Sequence, residues 1–350
     1  MKQCPLPVSL QVDNVPQYII PIFVIYRGCP NRCVFCNERI TAGDYPDRLA
    51  EDTIRNICDR HLKDSWRKFD QIAFYGGNFT GMDQDYQIEL LNIAQSYVNA
   101  GMVNSIRIST RPDYIDDDRL ALLTRYNVST VEIGAQSMVD EVLSLSGRGH
   151  SSEDVRAAVR LLKGKGIETG VHLMVGLPGD TRKRFEYTVE EIIKIRPDTV
   201  RIHPTIVFKD TLLAKSYLEG EYRPPTLDDA VELCKHALLR FQKADIPVIR
   251  LGLHTTKEME TDDNIIAGPF HPAFRSLVEG AIFLDMASDL LKSADLKDKD
   301  VVFSVAPKDV SNLRGMKNRN IKILKESFNL TEIHVRENAK QERWSLKISN

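Results

Sequence analysis

Six short apolar runs, at 18–26, 71–75, 105–109, 130–134, 169–175 and 199–203, are separated by amphipathic stretches at 51–63, 84–100, 117–125, 152–165 and 181–195. Few folds accept that alternation. A strand followed by a helix and then another strand must return to the same edge, so the pattern predicts parallel strands with helices outside. Six such units predict an α/β protein built on a partial (β/α)6 TIM-type barrel. In barrels of this kind the reactive groups sit on the loops that follow the C-terminal ends of the strands. With 350 residues the chain has room for one large domain and a smaller one. The expected divisions are an N-terminal extension at 1–17, the barrel at 18–220, a post-barrel extension at 221–290 and a small α/β module at 291–350. That module reads as strands at 301–305, 331–336 and 344–348 with a helix at 318–327.

Half of the six cysteines fall within eight residues directly after the first apolar run, in Arg27-Gly-Cys-Pro-Asn-Arg-Cys-Val-Phe-Cys-Asn37. A structural zinc site closes a shell of four ligands, whereas an iron–sulfur cubane can leave one iron open, so three thiolates in one loop suit the cluster better. Cys29, Cys33 and Cys36 are therefore the candidate metal ligands and the centre of the chemistry. Cys4, Cys58 and Cys234 are scattered and read as reduced structural thiols, which fits a cytoplasmic protein. No apolar stretch approaches the ~20 residues needed to span a bilayer, so no membrane association is expected.

The Cys-x3-Cys-x2-Cys loop with Phe35 before its last cysteine resembles the signature of the radical S-adenosylmethionine (SAM) enzymes. The resemblance implies a [4Fe–4S] cluster on the three cysteines and SAM, S-adenosyl-L-methionine, chelating the fourth iron. It also implies reductive cleavage of SAM to a 5′-deoxyadenosyl radical. Tyr75-Gly-Gly-Asn-Phe-Thr80 follows the second strand and is similar to that family's methionine-binding turn, which would place Gly76, Gly77 and Asn78 at the SAM amino group. Residues 105–150 resemble the Elongator complex protein 3 branch and, more distantly, oxygen-independent coproporphyrinogen oxidase. Carried over, Gln136 would contact the SAM ribose and Arg148 its carboxylate, through the paired hydrogen bonds a guanidinium makes. Those relatives place a Glu against the ribose hydroxyls where this chain has Ser109, so that contact is weaker or moves to Thr110 or Arg111. Val175 and Gly176, in the turn Met174-Val-Gly-Leu-Pro-Gly-Asp180, would pass the adenine.

Arg201 and His203 alternate along the sixth run and share one face, which makes them candidate substrate contacts inside the barrel. His172 in the fifth run reads rather as a core residue. After residue 205 the chain changes character, with a linker at 220–225, a helix at 227–243 and a further strand at 247–252. From residue 291 onward, 13 Lys and Arg stand against 8 Asp and Glu, while the whole chain has 47 against 49. Lys317, Arg319, Lys322 and Lys325 could line a stripe that meets phosphates. The resemblance thus points to a radical SAM enzyme acting on tRNA or another RNA. No acetyltransferase domain is expected after residue 280, which calls for a separate acyl-transfer partner, and the reductant expected is of flavodoxin or ferredoxin type. The alternatives are a porphyrinogen-type oxidase acting on a small molecule, and a non-catalytic iron–sulfur sensor or RNA-binding protein.

Overall fold

The computed structural model describes residues 3–4, 18–30, 32–43, 45–46, 48–63, 68–261, 263–294 and 300–349. The chain divides into two compact units, one formed by 14–226 with 246–270, the other by 1–13 with 227–245 and 271–350.

The first unit holds an open sheet of seven parallel strands in chain order: β1 Ile19–Phe23, β2 Gln71–Tyr75, β3 Ser105–Thr110, β4 Val128–Gln136, β5 Glu168–Val175, β6 Thr199–Pro204 and β7 Val248–Leu251. The partial barrel expected from the sequence is present, and it runs one strand further. The 247–252 segment, read as a strand beyond the barrel, pairs Val248 with Val200 and Arg250 with Arg201 and so closes the row.

From β1 to β6 one face of each strand is largely buried. Ile20, Ile72, Ile108, Val131, Ile133, Val171 and Ile202 are all fully buried, as are Leu90, Leu120, Val155, Leu162 and Ile192 on the intervening helices. Each such aliphatic side chain contributes about 1.5–3 kcal/mol on leaving water. The helices start at side-chain caps. Asp83 accepts from Tyr86 N, Asp116 from Arg119 N, and Ser151 with Asp154 forms a reciprocal capping box. The opposite strand face is polar, with Arg107, Thr130, Glu132, His172 and Arg201 at alternate positions. Residues two apart on a strand share a face, so these groups line the inside of the curled sheet.

The second unit carries β8 Asp300–Val305, β9 Glu332–Glu337 and β10 Leu346–Ser349, with Gln3–Cys4 at the edge beyond β10. β8 and β9 run parallel and β10 antiparallel to β8. Asp309, fully buried, accepts from Trp344 N at 2.8 Å and from Arg343, while Phe283 stacks on Trp344 with centroids 5.7 Å apart. The basic stripe is partly neutralised within this unit: Arg319 pairs with Asp228 at 3.5 Å and Lys325 with Glu332 at 3.0 Å. Among the described residues no helix is long and apolar enough to cross a membrane.

Candidate active site

Immediately after β1 the backbone turns through Tyr26 and Gly28, both at positive φ, and releases the cysteine loop. Cys33 is buried, Cys36 half-buried and Cys29 exposed. Backbone contacts hold the loop on both sides: Val34 N donates to Ser146 O at 3.1 Å, and Leu213 N donates to Val34 O at 2.8 Å. Phe35 packs against a cluster of Val207, Leu213, Ala214 and Tyr222. The loop then enters the short helix Glu38–Ala42, capped by Asn37, whose Ile40 packs with Ile206, Phe208 and Met259. Residues 265–270 add Ile265 and Phe270 to that cluster, and Ile265–Ala267 pairs with Val207–Phe208. The turn-rich segment after the barrel thus braces the cysteine loop.

Gly77 shows why the second motif requires glycine. Its φ is +56°, and a Cβ there would stand 2.4 Å from Arg27 O, inside the repulsive wall. Asn78 N donates to Arg27 O at 2.7 Å, so the turn after β2 and the approach to the cysteines lie backbone against backbone. The Asn78 side chain, fully buried, is engaged by the protein itself. Its amide nitrogen donates to Gly28 O at 2.7 Å, and its oxygen accepts from Thr110 Oγ1 at 2.6 Å and Arg111 N at 3.1 Å. Gly77 N donates to Glu38 Oε1 at 2.6 Å, and Tyr26 N donates to Glu38 Oε2. Glu38 carried no signal in the sequence, yet it ties the glycine turn to the cysteine loop.

At the end of β3, Ser109 Oγ is buried without a partner among the described residues. Arg111 directs Nε and Nη2 to Asp113 at 2.9 and 2.7 Å and leaves Nη1 buried and unpaired. At the end of β4 the strand bulges, and Gln136 adopts φ +66°, a left-handed conformation that costs a non-glycine residue energy and concentrates at functional sites. Arg148 joins this strand end to the cysteines: Nη1 donates to Cys33 Sγ at 3.1 Å, Nη2 donates to Gly134 O at 2.6 Å, and Nε is buried without a partner among the described residues. Beside it, burial and the Arg148 charge push His150 down to about 3, so its ring stays neutral.

At the end of β5, Gly176 has φ +79°, and the Pro225 ring stands 2.5 Å from where a Cβ would lie. Tyr222 donates its hydroxyl to Gly176 O at 2.6 Å. The stretch read as a linker is therefore a strap laid over the turn that follows Val175. Asp180 accepts from Gly176 N and Thr181 N, while Thr181 caps the helix Arg182–Ile195.

Below the strand ends, Glu132 gathers three strands. Its Oε1 accepts from Arg107 Nη1 and Arg201 Nη2, both at 2.6 Å, and its Oε2 faces His172 Nε2 at 2.8 Å. Burial raises the pKa of a carboxylate, yet Arg201, His172 and Arg107 outweigh it and hold Glu132 below the ordinary range. Arg201 also donates to Tyr75 OH at 3.2 Å, and the His172 and His203 rings lie 5.8 Å apart. Sequence reading singled out Arg201 and His203 but not Glu132, Arg107, Tyr75 or Arg250; a charged residue in mid-strand, twice, was the signal available.

The donor set suits an iron–sulfur cluster. Burial, Glu38 and Cys33 push the Cys29 thiol up to about 11, although the residue as a whole is exposed, and burial with the same neighbours and Cys29 raises Cys36 as well; Arg148 opposes both. Thiols that perturb one another lie within each other's electrostatic reach, and metal ligation removes their protons. Among the described residues no three His, Cys, Asp or Glu side chains draw close enough to enclose a single metal ion.

Comparison with known proteins agrees. The profile described as Radical SAM superfamily matches residues 23–192, and that of the Radical_SAM C-terminal domain matches 197–282. A tRNA uridine(34) acetyltransferase of Methanocaldococcus jannaschii is 30% identical over 259 residues, which cover 63% of this chain and 48% of that protein. An oxygen-independent coproporphyrinogen-III oxidase-like protein of Bacillus subtilis, HemZ, is 26% identical over 202 residues, covering 54% and 40%. The chain spans about half the length of the first of these and less of the second. Among solved structures, an N-terminally deleted Elp3 of Methanocaldococcus infernus superposes with a TM-score of 0.61 at 21% identity, over 77% of this chain and 63% of that one, a likeness of fold.

Proposed function

Because the chain belongs to the radical SAM superfamily and is an enzyme of that class, we propose that it cleaves SAM reductively and directs the radical at an RNA substrate, most simply a tRNA. The cluster, when bound, supplies the electron that splits SAM into methionine and a 5′-deoxyadenosyl radical. The chain supplies position and shielding. Cys29, Cys33 and Cys36 would hold the cluster, and Arg148, which lies against Cys33 Sγ, would set the charge beside it and take the carboxylate of SAM. Gly76 and Gly77 leave backbone open for the amino group, with Asn78 holding that turn in shape. Gln136, Ser109 and Arg111, at the ends of β3 and β4, would take the ribose, and Val175 and Gly176, the latter held under Tyr222 and Pro225, would border the adenine. Arg201 and His203 face the substrate.

The observation that carries this reading is the Arg148 bridge, because one guanidinium links the cysteine loop to the strand end where Gln136 is strained. The RNA substrate rests on the archaeal tRNA uridine(34) acetyltransferase, of which the chain matches about half. The same reading calls for an electron donor of flavodoxin or ferredoxin type. It is tested by anaerobic reconstitution with iron and sulfide, reduction in the presence of SAM, and assay of 5′-deoxyadenosine with and without bulk tRNA. Deoxyadenosine that rises with tRNA supports both parts; a rise with coproporphyrinogen instead would transfer the substrate to the small-molecule class. No deoxyadenosine from a fully formed cluster would leave a sensor or scaffold.

A further inference from the structure

Four consecutive inward-facing positions on β6 and just beyond it share one property. Thr199 Oγ1, Arg201 Nε, His203 Nε2 and Thr205 Oγ1 are each shielded from solvent, and none has a hydrogen-bond partner among the described residues. Buried polar groups are ordinarily satisfied, so a row of four along one strand marks a surface built to receive hydrogen bonds from something else. Arg250, aligned with Arg201 on β7, makes no salt bridge or side-chain hydrogen bond among the described residues.

Charge adds the second constraint. Three guanidiniums, on Arg107, Arg201 and Arg250, face one carboxylate, Glu132, which binds Arg107 and Arg201. Burial holds both His172 and His203 below their ordinary pKa, so neither adds a positive charge at neutral pH. Tyr75, which accepts from Arg201, directly precedes the glycine turn Gly76–Gly77. The wall therefore keeps a positive excess just under that turn.

We propose that Arg201, Arg250 and His203 seat an oxyanion of the substrate, a carboxylate or a phosphate, with Thr199 and Thr205 hydrogen-bonding the groups attached to it. Two guanidiniums on neighbouring strands offer the parallel N–H pairs that such anions accept. Glu132 acts as a positioning residue: it binds Arg201 through Nη2, and Nε is left without a partner among the described residues. The substrate class deepens the reading given above and rests on it for the direction from which the radical comes, while the seat itself can be tested without that chemistry.

The experiment is a thermal-denaturation titration of the anaerobically reconstituted protein with sodium phosphate and with sodium acetate, at ionic strength matched by sodium chloride. One or both anions should raise the midpoint saturably beyond the chloride control, and which of them does so tells phosphate from carboxylate. Arg250→Gln should weaken that binding about tenfold or more, as expected for losing hydrogen bonds to a charged group. Arg250→Lys, which keeps the charge and loses the fork, should fall between, and it supplies the comparison if the glutamine variant does not fold by circular dichroism. No midpoint rise beyond chloride, or variants that respond as the wild type does, overturns the proposal. Deoxyadenosine assayed on the same preparation separates the two readings: SAM cleavage without an anion response removes the seat alone, and an anion response without SAM cleavage removes the radical reaction alone.

Discussion

The lower lumen and the β6 wall of the same barrel are both polar, and they differ in whether those polar groups are satisfied. In the lower lumen, Gln71 accepts from Arg107 and donates to Thr130, Thr130 donates to Glu168, and Glu132 binds Arg107, Arg201 and His172. Along β6 and just beyond it, four buried polar atoms in a row have no partner among the described residues. Polarity inside a barrel is thus ambiguous by itself; the first network can hold the strands together with no ligand, whereas the second is complete only with one.

The largest expected effect lies at the strand ends, above both regions. Cys33→Ala should abolish iron–sulfur absorption and all SAM cleavage, since it removes one of the three proposed cluster ligands and the sulfur that Arg148 touches. Visible absorption and deoxyadenosine yield check it; a fully active variant would end the cluster assignment and make Arg148 a structural bridge.

Next comes Glu132→Gln, which leaves Arg107 and Arg201 buried without their counter-charge. Breaking a buried ion pair from one side costs about 3–5 kcal/mol, read as a fall in urea midpoint at unchanged slope. A loss under about 1 kcal/mol would mean that the lower lumen is as unsatisfied as the wall, and the contrast would collapse.

Thr205→Val tests the other side. Thr205 is fully buried, its hydroxyl has no partner among the described residues, and valine has nearly its shape. Stability should stay level or rise by about 1 kcal/mol, because an unsatisfied hydroxyl is replaced by a methyl, while turnover of the true substrate falls. A clear destabilisation would show that the hydroxyl is already bonded in the resting protein.

How much of this contrast was legible beforehand follows the same physics. Periodicity is a local property, and it placed the helices Gln84–Asn99, Ser152–Gly164 and Arg182–Ile195 to within a residue or so. The cysteine spacing is equally local, and it named the loop. Arg148 and Gln136 came from resemblance, and the structure brings both to the end of β4, where Arg148 reaches Cys33. Glu132 stood in plain view inside its strand, but a carboxylate reads as structural or functional only by what lies opposite, and its partners are 25, 40 and 69 residues away in the chain. Arg250 escaped for the same reason: only strand order puts it beside Arg201. The strap at Tyr222 and Pro225 looked like a linker because proline and glycine mark turns without saying what the turn covers.

The smallest effect concerns that strap's neighbour. Burial pushes Asp180 up to about 6, against the pull of Gly176 N, Thr181 N and Arg184. An unfolded aspartate titrates near 3.9; between about pH 4 and 6 the folded chain therefore binds the extra proton. Stability from this group is present at low pH and is lost as pH rises through 6, the reverse of a carboxylate held by an ion pair such as Glu132. Asp180→Asn removes the titration, so the variant should gain on the wild type in urea midpoint between pH 4.5 and pH 7 and then run parallel to it. A gap that stays constant across that interval would mean that Asp180 ionises as freely as a surface carboxylate. The turn under Tyr222 and Pro225 would then be open to water, and the Gly176 end of the site would share the unsatisfied character of β6 rather than the closed character of the lower lumen.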